Sequence, residues 1–324
     1  MLRHRESCGN GMGVGDNTDK RLIFAADLGG THLRAATVDQ KGRIHSRFKQ
    51  NTPQVADAGA IVDAIVAAVR EFQKAAEISA VSLVVPGTVK VEEGAVVKAP
   101  NLPCLDGFPL AATLTEQLGL PAILENDANA AAVGEMWQGA AVGCKTTICV
   151  TVGTGVGGGI ILDGKLWRGV DGSAAEIGHM CVDPFGGVAC TCGSRGCLEV
   201  FASATAIVRM TREARPRYPD SVLQGVADLT AETIFEVGQQ GDELALEIFR
   251  RMGVYLGIGL ANLINILNPE IIVIGGGVVN GWALFEKHMH QQVEERAFPL
   301  LRVKIVRAKC GDDAGLLGAA RLAF

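Results

Sequence analysis

The 324-residue chain has no surplus of positive charge: 30 Lys and Arg stand against 35 Asp and Glu, a formal net charge of −5. Without a basic footprint nucleic acid is not an expected partner, and without a Lys/Arg-rich run neither is a membrane surface. No apolar stretch reaches about 18 residues free of charge or glycine turns, so no membrane span is expected. The first twenty residues are polar and glycine-rich, lack the apolar core of a signal peptide, and read as a disordered leader. An even set of cysteines is also missing. Nine cysteines and no secretory segment argue against a disulfide framework and for a reducing, cytoplasmic compartment. No glycine turn ends in Gly-Lys-Ser/Thr, which excludes a Walker loop, and the dinucleotide fingerprint is absent too.

What remains is a globular composition, 48% hydrophobic and 20% charged, long enough for roughly two domains. Leu22 to Ala26 reads as a buried strand, Asp27-Leu28-Gly29-Gly30-Thr31 as a sharp turn, Leu33 to Val38 as a second strand, and Asp39 to Gly42 as a hairpin turn. The pattern returns from Thr146, with a turn at Gly153-Thr154-Gly155, a strand through Ile160-Ile161 and a hairpin at Leu162 to Lys165. Two similar halves are implied. Between them a helix is expected over Val55 to Glu77, with Ile61, Ile65, Val69 and Phe72 on one stripe, followed by strands at Val81 to Val85 and Ala122 to Leu124. Pro109 opens another helix, and Asp127 to Trp137 reads as an alanine-rich one capped by Asn126 or Asp127. The chain is then mainly helical from Ser203 through Leu267, with strands at Ile271 to Ile274 and Val303 to Val306 and a last helix from Ala314. Strands alternating with helices indicate a layered α/β protein. The expected division is 21–135 and 136–312, crossing near Glu125 to Val142, with the C-terminal helix (313–324) packing back on the first half.

Three residue sets carry chemistry. His179, Cys190, Cys192 and Cys197 can close a tetrahedral zinc site, with sulfur about 2.3 Å from the metal, in a knot spanning 179–197. Reduced core thiols are the competing reading, and Cys181 is an alternative ligand. Glycine turns end strands at Gly29-Gly30-Thr31, Gly153-Thr154-Gly155 and Gly275-Gly276-Gly277, where backbone N–H groups can approach phosphate. Asp127 opens a helix whose dipole favours its carboxylate form, either as a plain cap or, with Asn126 beside it, as a base acting on a hydroxyl.

The motifs Asp27-Leu28-Gly29-Gly30-Thr31-His32-Leu33-Arg34, Asn101-Leu102-Pro103, Glu125-Asn126-Asp127-Ala128-Asn129-Ala130, Val152-Gly153-Thr154-Gly155-Val156-Gly157-Gly158-Gly159, Glu176-Ile177-Gly178-His179 and Cys190 to Glu199 resemble those of the ROK family of sugar kinases, its bacterial ATP-dependent glucokinase branch above all. The resemblance covers nearly everything from Leu22 onward. It implies an actin-like ATPase fold of the hexokinase type, two α/β domains around a cleft. By it Asp127 is the general base that takes the proton from the sugar 6-hydroxyl, and Gly87, Asn101, Asn126, Glu176, His179 and Glu199 surround the sugar. Gly29, Gly30, Thr31, Gly153, Thr154 and Gly155 cradle the phosphates of ATP, Asp27 orders water on Mg²⁺, and Gly275, Gly276 and Gly277 lie against the adenosine. Zn²⁺ is structural. Other hexoses, namely N-acetylmannosamine, N-acetylglucosamine, fructose or allose, are alternative substrates, and polyphosphate is an alternative donor. Cys104-Leu105 stands where many glucokinases of the family carry Gly-Trp. Sugar-sensing repressors of the same family carry an added helix-turn-helix, for which no recognition helix is legible. Similar kinases are homodimers or homotetramers.

Overall fold

The computed structural model describes residues 21–54 and 57–324. The expected leader, Cys8 and the expected helix start at Val55 lie outside the described residues. β1 (Leu22–Leu28), β2 (His32–Val38) and β3 (Ile44–Asn51) form an antiparallel meander. α1 (Ala58–Gln73) is capped by Asp57, whose side chain accepts the Gly59 N–H, and it buries Ile61, Val62, Ile65 and Val69. It leads to β4 (Ile78–Val85), which lies parallel to β1. A small antiparallel pair follows, β5 (Thr88–Lys90) with β6 (Ala95–Lys98). Then α2 (Leu110–Leu118) returns the chain to β7 (Ala122–Asn126), parallel to β4, and α3 (Asp127–Gln138) leaves the sheet.

The second half repeats this plan. β8 (Thr147–Val152), β9 (Val156–Leu162) and the short β10 (Lys165–Leu166) form its meander. After the cysteine knot come α4 (Glu199–Ala202), α5 (Ala204–Ala214), α6 (Ala231–Gln239) and α7 (Glu243–Leu267). β11 (Ile271–Gly275) pairs parallel with β8, and α8 (Trp282–Arg296) connects it to β12 (Lys304–Arg307), parallel to β11. The chain closes with α9 (Ala314–Leu322). The two sheets have matching orders, β3-β2-β1-β4-β7 and β10-β9-β8-β11-β12. The duplication expected from the sequence is therefore present strand for strand.

Several elements differ from expectation, each for a physical reason. α1 ends at Gln73 rather than at 77, because the amides of Ala75 and Ala76 both turn back to the Phe72 carbonyl. β3 was not anticipated: its sequence, IHSRFKQN, is polar and mostly exposed, as an edge strand can be. The polar helix α8 was also missed, since it buries only Trp282, Phe285, Met289 and Gln292. The helical run from 203 is interrupted after Ala214, where Pro216 sits in a short 3₁₀ turn.

α3 lies between the sheets. It packs against α9 and against β8 and β9 of the second sheet, while α9 packs on β1 and β4 of the first. The two helices approach closely because small residues meet: a Cβ on Gly318 would fall on the Ala130 carbonyl, and one on Gly134 on the Ala314 carbonyl. Near the end of α3 the fully buried Glu135 carboxylate accepts backbone N–H groups from Ala140 at 2.7 Å, Lys309 at 3.0 Å and Cys310 at 2.7 Å. Those amides lie in the segments that follow α3 and precede α9, and they satisfy a charge that burial would otherwise penalise heavily.

The obstruction at Gly318 is backbone and cannot swing aside. Gly318→Val is expected to lower the unfolding free energy by about 3 kcal/mol, the upper end for overpacking. In contrast Gly315→Ala, whose Cβ meets only Val84 Cγ2 at 3.8 Å, should equal or exceed the parent. Urea denaturation of both variants checks the contrast.

Candidate active site

The strand ends of the two sheets open into one cleft of about 750 Å³. On the first-half side, β1 delivers Asp27 directly opposite Arg34 in the β1–β2 hairpin, and the two side chains form an ion pair. β4 runs out into Pro86-Gly87. Gly87 has φ +121°, and a Cβ there would fall on the Lys98 carbonyl of β6, so only glycine lets the two segments meet. β7 ends at Asn126, which caps α3: its Oδ1 accepts the amides of Ala128 at 2.9 Å and Asn129 at 3.0 Å. The capping choice left open by the sequence thus falls on Asn126. Its Nδ2 donates to the Gly87 carbonyl at 2.9 Å and to Asp127 Oδ1 at 3.1 Å, and Oδ1 also accepts the Ala128 N–H at 2.9 Å.

Asp127 is the first residue of α3 and opens onto the cleft. Solvent reaches its carboxyl group, yet cleft walls surround it. That enclosure pushes its pKa up to about 6; the neighbouring Asp27 charge pushes the same way, and the amides and Asn126 oppose the rise.

On the second-half side, β8 turns into β9 through Gly153-Thr154-Gly155, and the N-terminal end of α5 is fastened behind this turn. Ala204 N–H donates to the Gly153 carbonyl and Thr205 Oγ1 to the Thr154 carbonyl, each at 2.8 Å. Glu199, at the start of α4, accepts the Val156 amide at 3.0 Å and lies where a Gly155 Cβ would be. Glu176 precedes a 3₁₀ turn that ends at His179, with His179 Nε2 3.8 Å from Glu176 Oε2.

The other face of the His179 ring meets the cysteines. One ligand atom each from His179, Cys190, Cys192 and Cys197 lies within 4.8 Å of the others. Cys190 Sγ is 3.6 Å from His179 Nδ1, and Cys192 Sγ is 3.7 Å from Cys197 Sγ. Four bonds of zinc length at tetrahedral angles place thiolates about 3.7 Å apart, so the donors fit the ion. Cys181 pairs by its backbone with Cys197 and is not part of this group. All eight cysteines among the described residues are unpaired.

Of the residues singled out in the sequence, Asp27, Gly29, Gly30, Thr31, Gly87, Asn101, Asn126, Asp127, Gly153, Thr154, Gly155, Glu176, His179, Glu199 and Gly276 all line the cleft. Gly275 and Gly277 do not: Gly275 is the buried end of β11, and Gly277, itself exposed, starts a 3₁₀ turn. Gly276, between them, adopts φ +88°, and a Cβ would strike the Val152 carbonyl. The cleft also takes in Arg34, Lys49, Lys98 and Asn129, to which the sequence reading gave no role. Arg34 was discoverable, because the tight β1–β2 connection places it across from Asp27. Lys49 was not, since it lies on the unanticipated β3, paired with Arg34. Cys104 and Leu105 are not cleft residues; Leu105 is wholly buried in the core of the first half. A second recess of about 350 Å³ adjoins at Thr154 and is lined by Ala204, Thr205, Val208, Arg209, Arg212 and Ala231.

Comparison with known proteins gives a consistent picture. The model of the ROK family matches residues 23–324. A glucokinase of Halalkalibacterium halodurans is 38% identical, covering 93% of this chain and 94% of the relative. An N-acetylmannosamine kinase of Shigella flexneri is 36% identical, covering 93% and 98% respectively. Among solved structures, a ROK family glucokinase from Streptomyces griseus in complex with glucose and AMPPNP has 38% identity and a TM-score of 0.80, over 93% of this chain and 98% of that one.

The Asp27–Asp127 repulsion has a measurable sign. Asp27→Asn removes a negative charge beside Asp127 and leaves the Arg34 guanidinium unpaired, and both changes favour the ionised carboxyl. The Asp127 midpoint, followed by carbon-13 NMR of the carboxyl, is expected near 6 in the parent and lower in the variant.

Proposed function

The chain belongs to the ROK family, and from that premise we propose that it is an ATP-dependent glucokinase that transfers the γ-phosphate of ATP to the 6-hydroxyl of glucose with Asp127 as general base. One observation carries the reading: Asn126 and Asp127 from the first half and Glu176, His179 and Glu199 from the second line a single cleft. The division of labour follows the halves, 21–135 with 313–324 and 136–312, and is supported by α9 packing on β1 and β4.

A hexose is neutral, so its orientation depends on hydrogen-bond donors and acceptors held in place before it arrives. Asn101, Asn126, Glu176, His179, Glu199 and the Gly87 backbone supply such groups. Two donors converge on Asp127 Oδ1, which leaves Oδ2 to take the hydroxyl proton as the oxygen attacks phosphorus. A carboxyl with a midpoint near 6 is ionised at neutral pH yet basic enough to help. Phosphoryl transfer needs alignment and charge neutralisation more than covalent assistance. The backbone around Gly29-Gly30-Thr31 and Gly153-Thr154-Gly155 serves the phosphates, Asp27 stands where it can order water on Mg²⁺, and Mg²⁺ when bound neutralises charge on the donor. The nucleoside end fits the recess that begins at Thr154, with Gly276 at its approach.

Zinc held by His179 Nδ1, Cys190, Cys192 and Cys197 would supply no chemistry to the transfer; it would fix the imidazole so that Nε2 faces the sugar. A kinase for an N-acetylated hexosamine is the second reading, favoured by the similar N-acetylmannosamine kinase. The Cys104-Leu105 departure bears little on the choice, because neither side chain reaches the cleft. A cytoplasmic homodimer or homotetramer belongs to the same reading; no helix among the described residues is long and apolar enough to cross a membrane.

A hexose panel at fixed Mg·ATP tests the assignment, with kcat/KM expected to be highest for glucose; a higher value for N-acetylmannosamine moves it to the second reading. Asp127→Ala should reduce kcat to well under a tenth of the parent value while glucose still binds. In the parent, kcat/KM should fall about tenfold per pH unit below about 6, where Asp127 takes up its proton. Cys192→Ala should abolish zinc in metal analysis and weaken glucose binding together; intact affinity in a zinc-free variant contradicts the coupling.

A further inference from the structure

Glu125 immediately precedes Asn126 and Asp127 in β7 and is only 1% exposed. Its Oε1 accepts the Asn126 amide and Asn129 Nδ2, each at 3.0 Å, and its Oε2 accepts Arg168 Nε at 2.7 Å. Arg168 comes from the other half of the molecule. It starts the segment 168–175, which follows β10 and runs into Glu176. The segment is closed on itself by the Ala174 amide, which donates to the Arg168 carbonyl at 3.1 Å. It touches the first half a second time at Gly172, where a Cβ would come 2.7 Å from the Val89 carbonyl oxygen. Gly172, Ala174 and Ala175 line the cleft. Ala175 has φ +66°, a left-handed conformation that a residue other than glycine keeps only when its surroundings hold it there.

We infer that the Glu125–Arg168 ion pair is a positioning device, fastening the segment that carries Glu176 to the strand end that carries Asn126 and Asp127. The inference rests on the proposed kinase reading for its effect on catalysis, although the fastening itself does not. Three donors surround the Glu125 carboxylate, so the pair is satisfied where an unpaired buried charge would be expelled. Arg suits the place better than Lys, because its planar guanidinium fixes direction as well as charge. The same network holds Asn129 by its amide nitrogen, while Asn129 Oδ1, buried in the cleft wall, has no protein partner. Without the pair, the sugar-holding carboxylate loses its fixed distance from the base. Displacements of about 1 Å at remote positions can cost up to a hundredfold in rate.

The test uses Arg168→Met, and the double variant Glu125→Gln/Arg168→Met, which removes the stranded charge in case the single variant folds poorly. Glucose KM is expected to rise about tenfold or more in both, with ATP KM within about twofold of the parent, zinc content retained and Arg168→Lys falling between. Hydrogen exchange of segment 168–176, measured without substrate, should accelerate in both variants. An unchanged glucose KM in folded variants overturns the proposal, as does a matching change in both KM values, which marks a general loss of structure. If the parent phosphorylates no hexose but exchange still accelerates, the kinase reading fails and the fastening stands.

Discussion

α3 is the constraint from which the rest of the molecule is arranged. Its first half is almost entirely alanine beyond Asn129, and Ala128 to Glu135 are buried without interruption. Such a helix can lie close against β8 and β9 on one side and α9 on the other because small residues meet at the tightest points, Ala128 and Ala132 against Gly157 and Gly159 and Ala130 against Gly318, while Trp137 reaches past them to Arg321. Its N-terminal end then has to emerge at the rim where both sheets end, and there Asn126 and Asp127 sit. Placement of the Asp127 carboxylate is thus a consequence of helix packing some ten residues long, and is as rigid as that packing.

The cleft divides its chemistry by bond type. In the proposed kinase the turns Gly29-Gly30-Thr31 and Gly153-Thr154-Gly155, which line one part of the cleft, would present backbone to oxygens that already carry charge. Toward Glu176, His179 and Glu199 it offers acceptors and an imidazole, which suit hydroxyl groups. Asp127 lies between the two environments. Its raised pKa comes mainly from enclosure, with the Asp27 charge adding to it and the α3 amides and the Asn126 side chain opposing it. The carboxyl's basicity is therefore a property of the cleft as a whole.

Much of the architecture was legible because the duplication left a pattern. Two strand-turn-strand units with buried, β-branched strands and glycine turns announced two sheets, and a cap at Asn126 or Asp127 announced α3. The cysteine spacing located a metal-fitting group, and the geometry excluded Cys181, which spacing alone could not do. Polar elements were the blind spot: β3 and α8 bury too little apolar surface to stand out in a periodicity reading. The Glu125–Arg168 contact was invisible for a different reason. Its partners are 43 residues apart and meet across the cleft's flank, so no local rule connects them. Gly275 to Gly277 read in the sequence as one unit, whereas of the three only Gly276 lines the cleft.

Glu135 carries a mechanical implication. The chain passes between the halves twice, after α3 and before α9, and one carboxylate grips the amides of both passages. Two ropes tied to a single rivet cannot slide past one another. The two passages are thereby fastened to each other at the end of α3 farthest from Asn126 and Asp127, and parting them would strip a buried carboxylate of its hydrogen bonds.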